Sequence, residues 1–350
     1  MSKFLYAVSN RQSANSVVGM EIQDSGDLRF VPGSPFATGG KGSRSSQSQN
    51  GVWIDHDLLY AVDFGSSSFA IFRRNPDGTL TRLNGSPVDS HGISPCSVCV
   101  SDGILYVVNQ HLRSSGGKAE PSLAVFAVEG SGTRFLEGSS FMLPRGESPT
   151  QAIVNPQGTI LAIPSVRTRR SLLHCYEIKR GATAGPMLTE FENSPFEITG
   201  TGYGFGSAWT SDGKTIFMTN AIGAGSIVRL AVDVNSRRIA ETARATTPGN
   251  ACWAALSSDG KRLYVTNLLS LLVFDVSGTR LQQIQSLDVT DVKGPVLRDL
   301  ILAPGGKFLY AIEQRKRRIL IYAVDGSGRV TRSGELALRV PGYTLGLAIG

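Results

Sequence analysis

Apolar residues in this chain fall into short runs, many with a period of two, broken by turns rich in glycine, aspartate and asparagine. That is the pattern of β-strands; an amphipathic helix would repeat its apolar positions every three to four residues or so over a longer stretch. One strand phrase returns seven times: Phe4-Leu5-Tyr6-Ala7-Val8, Leu58-Leu59-Tyr60-Ala61-Val62, Ile104-Leu105-Tyr106-Val107-Val108, Thr159-Ile160-Leu161-Ala162-Ile163, Thr215-Ile216-Phe217-Met218-Thr219, Arg262-Leu263-Tyr264-Val265-Thr266 and Phe308-Leu309-Tyr310-Ala311-Ile312. With residues 6, 60, 106, 161, 217, 264 and 310 as anchors, the spacings are 54, 46, 55, 56, 47 and 46 residues. A repeat of about 50 residues in a β-rich chain predicts a propeller with one four-stranded blade per repeat.

The flanking patterns supply the other strands. Small, nearly continuous apolar segments precede six of the anchors, at 51–54, 97–100, 151–154, 207–210, 253–256 and 299–302. Turns such as Ser101-Asp102-Gly103, Ser211-Asp212-Gly213 and Ser258-Asp259-Gly260 join several of them to the anchors, and Asp-Gly between apolar runs is a strong hairpin signal. An alternating third strand follows each anchor, as at 122–128 and 318–324, and then a more polar fourth, as at 79–83 and 329–332. We label the four A to D, from axis to rim. The first anchor has no A strand before it, and the segment 343–349 supplies one from the other end of the chain. The expectation is an all-β, single seven-bladed β-propeller over residues 1–350, with four antiparallel strands per blade. It is closed by the C-terminal A strand pairing with the N-terminal B, C and D strands, which leaves no open edge.

In such a ring the D-to-A and B-to-C loops share one face, here called upper; the A-to-B and C-to-D turns share the lower. The upper loops are longer and more varied, the usual place for binding groups on a rigid scaffold. His91 in a D-to-A loop and His111 in a B-to-C loop are the proton-transfer candidates. His56 lies in a lower turn and His174 in a C strand, where packing is the expected role.

Aligning the A strands on their turn glycines puts Asn50, Cys96, Thr150, Phe205, Cys252 and Arg298 at one height at the channel mouth, with Tyr343 or Thr344 completing the ring. Arg298 is its charged member and needs water, a counter-ion or a bound anion; Asp299, Glu313 or a ligand carboxylate or phosphate are the candidate partners. Cys96 and Cys252 have no adjacent base to activate them, so small apolar filling is their expected part. Gln47, Gln49 and Asn50 end the polar loop 39–50 and offer hydrogen bonds to an oxygen-rich ligand, while Tyr203, Phe205 and Trp253 offer aromatic surface. A second ring, three residues beyond the anchors, reads Ser9, Asp63, Asn109, Pro164, Asn220, Asn267 and Glu313. Capping of the following turn is its expected role, with coordination of a hard cation as the alternative; no metal and no cofactor are assigned. Arg298, His91 and His111 are the catalytic candidates; Gln47, Gln49, Asn50, Cys96, Thr150, Tyr203, Phe205, Cys252, Trp253 and Glu313 are the substrate contacts.

Composition narrows the partners. The net charge of +7 is mild for 350 residues, and the dense basic run Arg315-Lys316-Arg317-Arg318 lacks interleaved aromatics, so a solvated or anion-attracting rim is expected rather than nucleic-acid binding. No apolar run approaches the length of a membrane span. Met1 to Val8 matches the other repeats and reads as a strand rather than a leader, which makes a cytoplasmic monomer the default. Four cysteines in a chain this long do not suggest a disulfide framework. Nucleophile-elbow, zinc-protease, paired Cys-x-x-Cys and dinucleotide motifs are missing.

The segments Asn75-Pro76-Asp77-Gly78-Thr79-Leu80-Thr81, Ser258-Asp259-Gly260-Lys261-Arg262-Leu263-Tyr264-Val265-Thr266-Asn267 and Gly202-Tyr203-Gly204-Phe205-Gly206-Ser207-Ala208-Trp209 carry a likeness that extends over the whole chain. The sequence resembles the seven-bladed lactonase family, which includes bacterial 6-phosphogluconolactonases and fungal carboxymuconate lactonising enzymes. The resemblance implies the propeller and lactone chemistry. Members' A strands often carry Gly-Pro-Arg-His; the nearest match here, Gly294-Pro295-Val296-Leu297-Arg298, keeps the arginine and has no histidine, so no catalytic histidine carries over. The leading expectation is an enzyme that opens or closes a lactone of a small oxygenated substrate at the upper mouth. The alternatives are a cyclase or pericyclase, Diels-Alder-type reactions included, that orients a reactive apolar substrate, and a non-catalytic propeller that binds a protein.

Overall fold

The computed structural model describes residues 3–43, 49–110, 120–130, 132–180, 185–200, 202–222, 225–289, 291, 294 and 297–350. They form seven antiparallel sheets, each with the strands in the order A-B-C-D. Blade I comprises the B strand Lys3–Val8, the C strand Ser16–Ile22, the D strand Leu28–Phe30 and, from the far end of the chain, the A strand Leu345–Ile349. Leu5, Tyr6 and Ala7 pair with Ile349, Ala348 and Leu347, and Phe4 and Gly350 exchange backbone bonds of 3.0 and 3.1 Å. The A strands of blades II to VII are Val52–Asp55, Pro95–Ser101, the split pair Ser148–Pro149 and Ile153–Val154, Tyr203–Trp209, Trp253–Leu256 and Leu297–Leu302. The ring closes where the blade VII and blade I A strands pack together.

Burial explains the strand patterns. The B strands lie mid-blade with neighbouring blades over both faces; Leu58–Asp63 is buried along its whole length and reads as one apolar run. The outer strand Arg238–Thr246 alternates, one face on the next blade and one in water. Between blades, the anchor tyrosine often acts as a pin. Tyr6 Oη donates to Gly78 O (2.9 Å), Tyr264 Oη to Gly328 O (3.1 Å) and Tyr310 Oη to Gly26 O (2.9 Å), each glycine lying in the C-to-D turn of the next blade. Gly78 has φ +80°, and a Cβ there would lie 2.3 Å from the Phe4 ring, so both the turn and the packing require glycine.

One feature departs from the four-strand pattern. In blades I to IV the D strand breaks, and short upper segments, Phe36–Ala37, Val88–Asp89, Phe141–Met142 and Phe196–Ile198, pair with the C strand instead. At each break a serine hydroxyl replaces a ladder carbonyl: Gly19 N donates to Ser34 Oγ, Ile71 N to Ser86 Oγ, Val125 N to Ser140 Oγ and Cys175 N to Ser194 Oγ, at 2.9–3.1 Å. A strand amide that would otherwise be orphaned keeps an acceptor.

Candidate active site

Three members of the ring expected at one height, Cys96, Phe205 and Arg298, lie in β-bulges, and blade I carries a fourth bulge. Register shifts fall between Pro95 and Ser97, Gly204 and Ser207, Leu297 and Leu300, and on the blade I A strand opposite Ala7 and Val8. The residues inside the shifts are Cys96, Phe205 with Gly206, Arg298 with Asp299, and Gly346. A bulge re-aims a side chain out of the ladder, and here it does so just below the upper mouth.

On one side of the mouth the aromatics form an arc. Tyr203 and Phe205 are stacked with centroids 6.4 Å apart, and Phe205 and Trp253 with centroids 6.2 Å apart. Arg298 continues the arc, its Cζ 5.8 Å from the Trp253 ring and 5.6 Å from the Tyr343 ring. Arg298 is only 6% exposed, yet among the described residues its guanidinium makes no hydrogen bond and no ion pair, and its Nε is buried without an acceptor. Both carboxylates expected from sequence are occupied. Asp299 accepts from the amides of Leu300 and Leu347, at 2.9 Å each. Glu313 accepts from Arg318 Nε at 3.0 Å and from the amides of Arg315 and Lys316. Two ring faces alone therefore hold a buried cation, a weak substitute for a counter-ion. The Cys252 thiol is pushed up to about 12 by burial, against the pull of Arg298, so it stays protonated.

Gln49 and Asn50 floor this mouth. Gln49 reaches across the channel from blade II to blade VI, where Nε2 donates to Ala254 O at 2.8 Å, and Asn50 Nδ2 donates to Ala152 O of blade IV at 3.1 Å. A Cβ on Gly206 of blade V would lie 2.3 Å from Gln49 Oε1. Beneath them a cavity of about 510 Å³ continues along the axis toward the lower face, with Trp53, Trp209, Gln151 and Asp299 in its wall. Burial pushes the Asp299 carboxyl up to about 7, although two backbone amides favour its charge.

The structure thus brings together Tyr203, Phe205, Cys252, Trp253 and Arg298, with Gln49 and Asn50 below. Cys96 Sγ donates to Pro149 O at 3.4 Å and Thr150 Oγ1 to Gly204 O at 2.8 Å, tying channel wall to channel wall. Glu313 belongs to an ion-pair cluster: Arg318, 3% exposed, also meets Glu335 at 2.6 Å and Asp291 at 2.8 Å. Arg318 is therefore not the solvated rim charge expected of its basic run, because three carboxylates surround it. His91 is exposed and stacks on Phe135 at 3.7 Å, on the D strand of blade III. His111 and Gln47 lie outside the described residues.

Among the described residues no group of three or more His, Cys, Asp or Glu side chains is arranged to hold a metal. Asp63 of the second ring, in blade II, accepts from Asn15 (2.9 Å) and Thr38 (2.6 Å) and so ties its blade to the upper loops of blade I; burial pushes it up to about 6. A buried cluster not foreseen from sequence joins His174 to Glu147 (2.7 Å) and Glu190 (3.0 Å). Burial works against the His174 charge, but the two carboxylates outweigh it and raise its pKa. The cue was a glutamate just before the blade IV A strand; what hid it is that Glu147, His174 and Glu190 come from three separate segments.

The sequence matches no protein-family profile and no curated protein. Solved structures share the fold. A Bacteroides fragilis protein provisionally described as a 6-phosphogluconolactonase superposes with TM-score 0.79 at 19% identity, covering 99% of this chain and 98% of its own. The periplasmic gluconolactonase PpgL of Pseudomonas aeruginosa gives 0.77 at 18%, with 99% and 98% covered. A hypothetical selenium-binding protein of Sulfolobus tokodaii gives 0.72 at 8%, with 99% and 93% covered. The fold is that of seven-bladed lactonase-type propellers, and it also carries other descriptions.

Proposed function

We propose that this chain is an enzyme of lactone chemistry, opening or closing the ring of a small, oxygen-rich, anionic substrate at the upper channel mouth. The observation that carries the reading is Arg298: buried, charged, without a counter-ion among the described residues, and set in the wall of a floored recess. Water attack on a lactone carbonyl builds negative charge on oxygen, and ring closure passes through the same charge in reverse. A guanidinium already desolvated and held between Trp253 and Tyr343 meets that charge, or a substrate carboxylate, with little reorganisation. Gln49 and Asn50 limit how deep the substrate sits, and the Tyr203–Phe205–Trp253 arc lies against its ring. His91 is engaged by Phe135 at the blade III rim, which leaves the B-to-C loop histidine His111 as the proton-transfer candidate. The gluconolactonase descriptions of structures with this fold support the reaction class.

The test is proton release in a pH-stat with sugar lactones and muconolactones. Arg298→Ala should lower kcat/KM by about 10²–10³-fold and His111→Ala by about 10²-fold or more. Turnover unaffected by Arg298→Ala would move the site elsewhere. A second reading rests on the aromatic arc, which suits an apolar, unsaturated substrate folded for intramolecular cyclisation. It takes precedence if no lactone is turned over and a conjugated polyene bound to the protein cyclises faster than it does in buffer.

A further inference from the structure

Neighbouring A strands are tied together beside the channel by a recurring contact. In blades III, IV and VII the residue after the mouth position accepts an amide from the A strand of the next blade. Ala152 N donates to Ser97 Oγ at 2.9 Å, Ser207 N to Gln151 Oε1 at 2.8 Å and Leu347 N to Asp299 Oδ2 at 2.9 Å. A hydroxyl serves at the first joint and a carboxamide at the second, so the joint needs only a neutral acceptor. Asp299 brings a carboxyl instead. It is 1% exposed and makes no ion pair among the described residues, and burial raises its pKa to about 7 against the pull of two backbone amides. Holding the ring together does not account for that acid.

Asp299 lines the axial cavity of about 510 Å³ below Gln49 and Asn50, and among the described residues of that wall it alone is ionisable. Trp53 of blade II and Trp209 of blade V share the wall with aliphatic groups such as Val154 and Leu256, and Ser101 and Pro156 border it toward the lower face. Its amide oxygens are largely spent. Gln151 Oε1 also accepts from Ser207 Oγ at 2.7 Å, and Asn155 Oδ1 accepts from the amides of Thr159 and Ile160 at 2.8 and 2.9 Å. A divalent metal, which needs about six or more oxygen ligands, is poorly served here. A cation with an apolar body is well served, because indole is the best aromatic partner for such a charge and a desolvated carboxylate attracts it strongly. We propose that the lower axial cavity binds a small organic ammonium ion, its charge beside Asp299 and its carbon groups against Trp53 and Trp209. The volume suits one such molecule. The site lies across Gln49 and Asn50 from the mouth and does not rest on the lactone reading.

The probe is choline, with its neutral isostere 3,3-dimethylbutan-1-ol beside it, each titrated into the intact protein by isothermal calorimetry. Choline should bind saturably at about pH 8 and at least about tenfold more tightly than the alcohol, since charge is what separates the two. Its own charge does not titrate, and the nearest charge along the chain, Arg298, stays protonated throughout. Choline affinity should therefore fall about tenfold from pH 8 to 6 as Asp299 takes up its proton, while the affinity of the alcohol stays level. Asp299→Asn should erase the preference for choline. Trp53→Leu should weaken choline on the order of three- to tenfold and the alcohol less. Arg298→Met, at the mouth, should not weaken either. Equal affinity for the two probes, a level pH profile for choline, choline binding unchanged in Trp53→Leu, or binding lost in Arg298→Met would each overturn the assignment. So would a titration in which calcium binds and choline does not. The pH series uses the unaltered chain, so it decides the matter even where Asp299→Asn fails to fold.

Discussion

Blade VII buries two arginines that belong to opposite kinds of site. Arg318, in the C strand, meets Glu313, Glu335 and Asp291 through Nε, Nη1 and Nη2, and Asp291 is held well below the usual carboxylate range by hydrogen bonds from Arg318 and Lys316. Arg298, in the A strand of the same sheet, has two aromatic faces and no acceptor among the described residues. Burial alone does not separate them. The inventory of partners does: a satisfied charge is architecture, whereas an unsatisfied one is a cost that the fold keeps for something outside itself.

Stability should break this pair apart. Arg318→Met strands Glu313 in a buried position and should cost about 3–5 kcal/mol by urea denaturation. Arg298→Met removes a cation that has no partner among the described residues to strand, and should change stability by less than about 1 kcal/mol or raise it. Equal losses would erase the distinction.

The same contrast extends to acids. Asp63 and Asp299 are buried without an ion pair among the described residues and pushed up to about 6 and about 7, mainly by burial. The folded protein therefore holds protons that the unfolded chain releases, so stability falls as pH rises from about 4 through those two values. His174 adds a loss of the same sign: its stabilisation is full below about 6.5 and disappears as pH rises through its raised folded pKa. The urea midpoint should drop between pH 4 and 8 by an amount worth on the order of a few kcal/mol. Asp299→Asn should flatten the part between about pH 4 and 7.

A ligand sharpens the comparison further. Gluconate at about 100 times its Kd should stabilise the native protein by about 2.7 kcal/mol. The gain should vanish in Arg298→Met and persist in Arg318→Met, as read by the shift in Tm. The smallest effect concerns the seams: Tyr264→Phe should cost about 1 kcal/mol for its lost bond to Gly328, and Tyr60→Phe, whose buried hydroxyl has no partner among the described residues, distinctly less.

The strand order, the blade count and the closure were legible because each follows from local pattern: alternation, Asp-Gly turns and a repeated phrase. Aligning turn glycines, which measures distance along an extended chain, matched Cys96, Phe205 and Arg298, and these three share a place in the register of their blades. That these positions are bulges was not, because a bulge depends on which partner residue is skipped. Arg298 stood out in sequence, but its isolation did not, since Asp299 and Glu313 were equally plausible partners until Leu347 and Arg318 were seen to occupy them. The D-strand breaks carried a cue in Gly33-Ser34-Pro35, Gly85-Ser86-Pro87 and Asn193-Ser194-Pro195, yet only the fold shows each serine standing in for a carbonyl.

Gln49 and Asn50 bridge blade II to blades VI and IV across the channel, between the upper mouth and the cavity below. A substrate entering from above and a product leaving the same way share one approach, so the product obstructs the next arrival and competes with it directly. A long substrate can present only its tip, with the remainder left among the upper loops, and selectivity for the tip and for the tail is set by different parts of the chain.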